Sequence, residues 1–283
     1  MRILKGDKIM NNKTFVALSD FHSNNWVLDV IENQYLKEYD DIYILGDATD
    51  RGPYQDGTFG LDLLIKMKEL CEKYPNIHYL PGNHDEFLYD AAINDSYLAI
   101  LNLSMNHGGQ TIADLERLKN NDRKTFDELF EWLGNQPLQM KIEVNNTKYA
   151  LAHALFNNKV YEENKNYNLK DLEEHKTNKD ILNIIWFRKN NDSYDNITLP
   201  DSDTTMIIGH SVQKSPVNQD LNLLNKDEEE IKVVCIDCGM ENDGILFKYD
   251  GGDSSTVECF TIDKITPEKE ILEDDVKIYV RKR

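Results

Sequence analysis

Ile42-Tyr43-Ile44-Leu45-Gly46-Asp47-Ala48-Thr49-Asp50-Arg51-Gly52-Pro53 decides how the rest of the chain reads. Its apolar run stops at Gly46, the pattern of a buried strand that ends abruptly. Asp47, Asp50 and Arg51 follow in one short loop. The strand end therefore delivers two acids and a base to the carboxyl edge of a sheet, where open α/β folds bind ligands. Taken alone, the loop has a plainer reading: Asp50 caps a helix and Arg51 joins a surface ion pair. The case for chemistry comes from the other strand ends.

Upstream, residues 15–18 (Phe-Val-Ala-Leu) form a first buried strand that runs into Ser19-Asp20-Phe21-His22-Ser23-Asn24. Trp26, Val27, Val30, Ile31 and Leu36 share one helical face, which predicts a helix over 24–38 capped by Asn24. Downstream, a helix over 59–73 turns Leu61, Leu64, Ile65, Met67 and Leu70 to the sheet, and a strand over 77–80 ends at Pro81-Gly82-Asn83-His84-Asp85-Glu86. The first ninety residues read as βαβαβ with a parallel sheet.

Farther along, 87–135 reads as a helical insertion over one side of the loop edge, interrupted at Asn106-His107-Gly108-Gly109-Gln110-Thr111. That break reads as a helix-start turn near the site. Strands over 138–144 and 148–152 flank Asn145-Asn146, a pair suited to a two-residue hairpin turn, and the second strand ends at His153. Residues 157–180 form a polar loop with short helices. Residues 181–187 are apolar and lead to Arg188, and a strand over 206–209 ends at His210. Strands over 231–236, 245–249 and 256–262 are expected in a mostly antiparallel second sheet. The charged extension 263–283 carries an edge strand over 276–280. With a disordered 1–13, this gives one domain over 14–262: an α/β fold of two packed mixed β-sheets flanked by helices.

The formal charge of −19 argues against general nucleic-acid or anionic-membrane binding, which needs a basic face. It leaves room for a phosphorylated substrate, because bound divalent cations reverse the local field. No apolar run approaches the length of a membrane span, and the charged N-terminal residues do not resemble a secretory signal. Cys235 and Cys238 have the spacing of half a zinc site, but no second pair follows, so Cys235 reads as a core residue of a reduced, cytoplasmic protein.

Five strand-end loops carry Asp20 and His22, Asp47 and Asp50, Asn83 and His84, His153, and His210, which takes in four of the seven histidines. The other three, His78, His107 and His175, match no ligand position, and the acidic run 227–230 reads as a solvated turn. Imidazole and oxygen ligands without thiolates suit manganese, iron or zinc. The ligands suffice for two ions bridged by one aspartate. Two ions about 3.5–4 Å apart clamp the attacking and leaving oxygens of an in-line phosphoryl displacement, with a bridging hydroxide as nucleophile.

In this order, Ser-Asp-Phe-His, Gly-Asp-Ala-Thr-Asp-Arg-Gly, Gly-Asn-His-Asp, the strand into His153 and Gly-His-Ser resemble the motifs of the calcineurin-like metallophosphoesterases. They are most similar to the phosphoprotein phosphatase branch, and 106–109, 186–188 and 236–239 resemble secondary motifs of its bacterial and phage members. The resemblance covers 14–249. It implies that Asp20 and His22 hold one metal, that Asp47 bridges, and that Asn83, His153 and His210 complete the second. It further implies that His84 is a general acid oriented by Asp50, and that Arg51 and Arg188, with Asn83, bind the phosphate. Ser19 and Ser23 stand where glycines are usual, Ala154-Leu155 replaces glycines after His153, and Asp85 stands where eukaryotic-type protein phosphatases carry Glu. These departures bear on substrate class.

The expected activity is hydrolysis of phosphomonoesters, with phosphoserine and phosphothreonine in proteins as leading substrates and two divalent ions, manganese first, as cofactors. A dinucleoside polyphosphate or nucleotide hydrolase is the alternative enzyme, and a non-catalytic scaffold the alternative class.

Overall fold

The computed structural model describes residues 13–51, 60–163, 167–188, 197–212, 223–225 and 227–237, together with the strand backbones of 243–249, 255–261, 270–271 and 276–279. The expected disordered segment 1–13 lies outside these residues except for Lys13, as do Gly52, Pro53 and Cys238.

Strands β1 (Phe15–Leu18), β2 (Asp41–Ile44) and β3 (Ile77–Tyr79) lie parallel and adjacent. The connecting helices occupy Trp26–Glu38 and Asp62–Lys73, so the βαβαβ expectation holds. The first helix carries a π-helical turn at Ile31–Tyr35. Its N-cap is Asn25 rather than Asn24, whose Nδ2 instead donates to the Phe21 carbonyl at 2.6 Å.

A hairpin of β4 (Gln139–Val144) and β5 (Thr147–Ala152) begins the second sheet. Asn145 and Asn146 both take positive φ (51° and 67°), as a primed two-residue turn demands. β6 (Thr204–Ile208) pairs parallel with β5. After the small ribbon of β7 (Leu223–Leu224) and β8 (Glu230–Ile231), β9 (Val233–Cys235) pairs parallel with β6. The acidic turn inside this ribbon, 227–230, is exposed.

The last strands correct the expectation that 231–236, 245–249 and 256–262 share a mostly antiparallel second sheet. β10 (Asp243–Tyr249) pairs antiparallel with β1, and β11 (Ser255–Thr261) pairs antiparallel with β10. They extend the first sheet, while β9 alone joins the second. An apolar run shows that a strand exists but not which open edge takes up its hydrogen bonds. β13 (Val276–Tyr279) is likewise not an edge. It lies between β11 and β12 (Glu270–Ile271), giving the order β12-β13-β11-β10-β1-β2-β3 beside β4-β5-β6-β9.

Side-chain alternation sorts the two faces of each sheet into separate cores. Phe15 and Ala17 of β1, Tyr43 of β2, Tyr149 and Leu151 of β5 and Ile207 of β6 pack in the layer between the sheets. Val16, Leu18, Ala150, Ala152, Met206 and Ile208 face the helices. Both faces are buried, which is why these strands read as unbroken apolar runs.

The insertion is four helices, Asn83–Ile93, Tyr97–Met105, Gly109–Asn121 and Arg123–Gly134. The polar stretch that follows forms the helix Asn158–Glu163 and the 3-10 turn Leu169–His175, anchored by buried Val160, Leu169 and Leu172.

Candidate functional site

The candidate residues sit in the loops beyond β1, β2, β3, β5 and β6, except Arg188, which follows the helix Lys179–Trp186, and these loops are stitched together where the ladders run on past the sheet. Asp20 N–H donates to Gly46 O at 3.0 Å, His22 N–H to Asp47 O at 2.9 Å and Ser23 N–H to Ala48 O at 2.8 Å. Gly209 N–H reaches His153 O at 2.7 Å, tying the β5 and β6 loops in the same manner. Non-glycine residues in the left-handed region concentrate here: Asp20, His22, Ser23, Asp47, Asp50, Arg51 and His210 have φ between 43° and 68°. Such clustering marks functional loops whose conformation the surrounding structure imposes.

The glycines of these loops admit close approach. A Cβ on Gly82 would lie 2.2 Å from Asp47 Oδ1 and 2.7 Å from His153 Cε1. One on Gly209 would lie 2.0 Å from Ser19 Oγ and 2.3 Å from Asp20 Oδ2. Ser19, at a position where glycine is usual, thus fills the space that Gly209 leaves. Its hydroxyl is 2.5 Å from Asp20 Oδ2 and 3.1 Å from Leu45 O, and its single proton serves one of them.

Asp47 is central. Its Oδ1 accepts the His84 backbone N–H at 2.9 Å. Its Oδ2 lies 3.5 Å from His153 Nε2 and 3.9 Å from the Nε2 atoms of both His22 and His84. On one side, Asn83 Oδ1 is 3.1 Å from His153 Nε2 and 2.8 Å from His210 Nδ1. On the other, Asp20 Oδ1 is 3.9 Å from His22 Nε2. Two groups of converging ligand atoms share Asp47: His22, Asp47 and His84, and Asp47, His153 and His210.

These residues fit a pair of metal ions. Ring orientation is fixed from behind: His153 Nδ1–H donates to Leu45 O at 2.5 Å and His22 Nδ1–H to Thr49 O at 3.1 Å, which turns each Nε2 towards Asp47. Burial pushes His22 down to about 3 and His210 to about 2, with the neighbouring His153 and Arg188 adding to the effect at His210. Both imidazoles are therefore neutral. The Nε2 of His210 is buried with no hydrogen-bond partner.

Burial disfavours charge on His153 as well, but Asp47 beside it raises the imidazole to about 10. Asp47 is itself held well below the usual carboxylate range by His153 and His84 against the pull of burial. Asp20 is raised, first by burial and next by Asp237.

His84 differs from its neighbours. Its Nδ1–H donates to Asp50 Oδ2 at 2.8 Å, both side chains being buried, and its Nε2 turns towards Asp47. One ring nitrogen is thus anchored, and the other lies among the converging atoms of His22 and Asp47. Arg51 is exposed and donates through Nη2 to Asn106 Oδ1 at 3.0 Å. Arg188 is near enough to His210 to depress its basicity. His78, paired with Asp41, and His175, against Tyr167, are remote from this cluster, and His107 is solvent-exposed.

Several contributors were not apparent from the sequence pattern. Asp85 Oδ2 accepts from Asp47 N–H (3.0 Å), Gly82 N–H (2.8 Å) and the Tyr79 hydroxyl (2.8 Å). It fixes the backbone of two loops instead of facing substrate. Asp237 is buried and acts on Asp20 electrostatically, and the apolar run before it was the signal that could have placed it at a strand end. Thr111 Oγ1 donates to Asp50 Oδ1 at 2.6 Å. Cys235 is a buried core thiol close to the Gly209 and Ser211 carbonyls, as the sequence suggests.

Among solved structures, a cold-active protein-tyrosine phosphatase from a psychrophilic Shewanella species is 17% identical, with a TM-score of 0.51 over 87% of this chain and 80% of that one. A protein serine/threonine phosphatase from Saccharomyces cerevisiae is 14% identical, with a TM-score of 0.52 over 92% and 84%. A putative diadenosine tetraphosphatase gives 15% identity and a TM-score of 0.48 over 89% and 95%. At their identities the two phosphatases show a likeness of fold alone. No curated protein matches in sequence. The sequence profile of the calcineurin-like phosphoesterases matches residues 13–214, the span that holds every proposed metal ligand, and the chain belongs to that family.

Proposed function

We propose that the protein is a dinuclear metal-dependent phosphatase acting on phosphomonoesters, with phosphoserine and phosphothreonine in proteins as leading substrates. The observation that carries this reading is the position of Asp47 Oδ2 between two ligand groups, with the buried His84–Asp50 pair alongside. Asp20, His22 and Asp47 would hold one ion, and Asp47, Asn83, His153 and His210 the other. When bound, the ions activate water and screen the charge of the phosphate. Imidazole, carboxylate and amide donors without thiolate favour manganese, with iron and zinc as alternatives.

The chain's own groups do the rest. Arg51 and Arg188 hold the phosphate oxygens, a task suited to planar guanidinium groups. Asp50 holds the His84 ring so that Nε2 protonates the leaving oxygen. A reducing, cytoplasmic location is part of this reading. No helix among the described residues is long and apolar enough to cross a membrane. The partner in this reading is a phosphorylated protein or nucleotide.

A panel of phosphopeptides, nucleotides and dinucleoside polyphosphates, assayed with manganese, tests the proposal. The expected result is preferential release of phosphate from phosphopeptides. Preference for dinucleoside polyphosphates would move the substrate to that class. Absence of turnover on the whole panel, with two ions bound, would make the chain a scaffold.

A further inference from the structure

The turn that opens the third helix of the insertion reaches into the site at two points. Thr111 is 1% exposed, and its hydroxyl donates to Asp50 Oδ1 at 2.6 Å while Asp50 Oδ2 accepts from His84 Nδ1 at 2.8 Å. Both oxygens of the carboxylate are thereby committed, one to each side. Gly108 permits the approach, because a Cβ there would lie 2.6 Å from Asp50 Oδ1 and 2.8 Å from the Leu103 carbonyl. Five residues before Thr111, Asn106 accepts from Arg51 at 3.0 Å and is itself held by a bond from its Nδ2 to the Asn102 carbonyl at 2.8 Å. One short turn therefore holds the adjacent residues Asp50 and Arg51, each in a left-handed conformation at φ 68° and 54°.

We propose that this turn is a positioning device for proton delivery and phosphate binding, with Thr111 the third member of a Thr111–Asp50–His84 chain and Asn106 the guide for Arg51. The proposal rests on the assignment of His84 as proton donor. Thr111 touches no substrate. It restricts the Asp50 carboxylate to the orientation that presents an oxygen to His84 Nδ1–H, and the imidazole is aimed as a result. Two ordinary alternatives for a threonine in a first helical turn are a bond back to its own helix and exposure to solvent. Here the hydroxyl instead crosses to a residue sixty-one positions away. A carboxylate held from both oxygens also cannot rotate to satisfy one partner at the expense of the other.

Thr111→Val keeps the shape of the side chain and removes the hydroxyl, and Thr111→Ser restores it. For alkyl phosphates, Thr111→Val is expected to lower kcat by about 10- to 30-fold, the scale of one lost hydrogen bond to a charged group. The loss should be several-fold smaller for nitrophenyl phosphate, whose leaving group needs little protonation, and Thr111→Ser should recover most of the rate. Asn106→Ala should raise KM for both substrates in equal proportion. A second readout uses the metal-free protein: the low-field proton resonance of His84 Nδ1–H, identified by its disappearance in His84→Asn, should shift in Thr111→Val and return in Thr111→Ser.

Equal loss on both substrates in folded Thr111→Val, with the His84 proton resonance unmoved, would overturn the proposal. If His84→Asn itself shows no leaving-group dependence, the general-acid assignment fails instead. The proton resonance then still decides whether Thr111 sets the ring through Asp50.

Discussion

His84 Nδ1 lies 2.8 Å from Asp50 Oδ2 with both side chains out of water, while His84 Nε2 sits 3.9 Å from Asp47 Oδ2. One edge of the ring is anchored and the other is presented. His84→Asn is therefore expected to retain two metal ions and to lose about 10²–10⁴ in kcat on alkyl phosphates, the usual worth of a positioned acid. The loss should shrink on nitrophenyl phosphate, and Asp50→Asn should show the same trend more mildly. Initial-rate measurements on the two substrates, with metal analysis of each variant, check the expectation. Equal losses on both would instead assign His84 to phosphate binding.

Asp47 faces both ligand groups, so its loss differs in kind from loss of a ligand on one side. Asp47→Asn should reduce the metal content of the purified protein for both ions, whereas His22→Ala should chiefly weaken one. Elemental analysis after equilibration with limiting manganese distinguishes the two. Full two-ion occupancy in Asp47→Asn would remove the bridging role.

Gly82 is the point at which the β3 loop passes closest to Asp47 and His153. Gly82→Ala places a methyl carbon inside the contact distance of both, a clash with buried groups that have nowhere to retreat. A stability loss of about 1–3 kcal/mol is expected from overpacking of this kind, together with weakened metal binding. Chemical denaturation of the metal-loaded and metal-free variant measures the two effects separately.

The Asp47 loop and the strand ends at Asp20, Asn83, His153 and His210 were legible because each is a local pattern, an apolar run closed by a small residue and then a carboxylate, amide or imidazole. What escaped was contact across long separations. Nothing near Thr111 in sequence announces Asp50, and nothing near Asp85 announces that it would hold Asp47 N–H. The placement of β10 beside β1 escaped for the same reason: alternation tells which face of a strand is buried, but not which neighbour fills its hydrogen-bonding edge. The π-helical turn at 31–35 keeps the same apolar face as a regular helix, so periodicity did not separate them.

Glu86 gives the fold a dependence on pH that is separate from the metal ligands. Burial, then Asp90 and Glu173, raise its carboxyl to about 7, against the opposing influence of Lys176 and of a hydrogen bond from the Trp186 indole N–H. The usual value is 4.5, so the folded state holds this proton more tightly than the unfolded state does. Stability from this group is present in acid and is lost as pH rises through about 4.5 to 7. Glu86→Gln should therefore be more stable than the parent by about 1–3 kcal/mol at pH 8 and little changed at pH 5. Urea unfolding at the two pH values tests the sign.

The left-handed backbone at Asp50 and Arg51 sets stability against activity. Arg51 is exposed, so replacing it removes little packing, and glycine takes φ 54° without the steric penalty of a Cβ. Arg51→Gly should raise the melting temperature slightly while weakening phosphate binding, a trade expected wherever a functional residue occupies a strained position. A library selected only for resistance to heat would accordingly accumulate glycine and asparagine in this loop and drift towards a sturdier, inactive protein. Selection for turnover would restore the arginine and bring back the lower melting temperature.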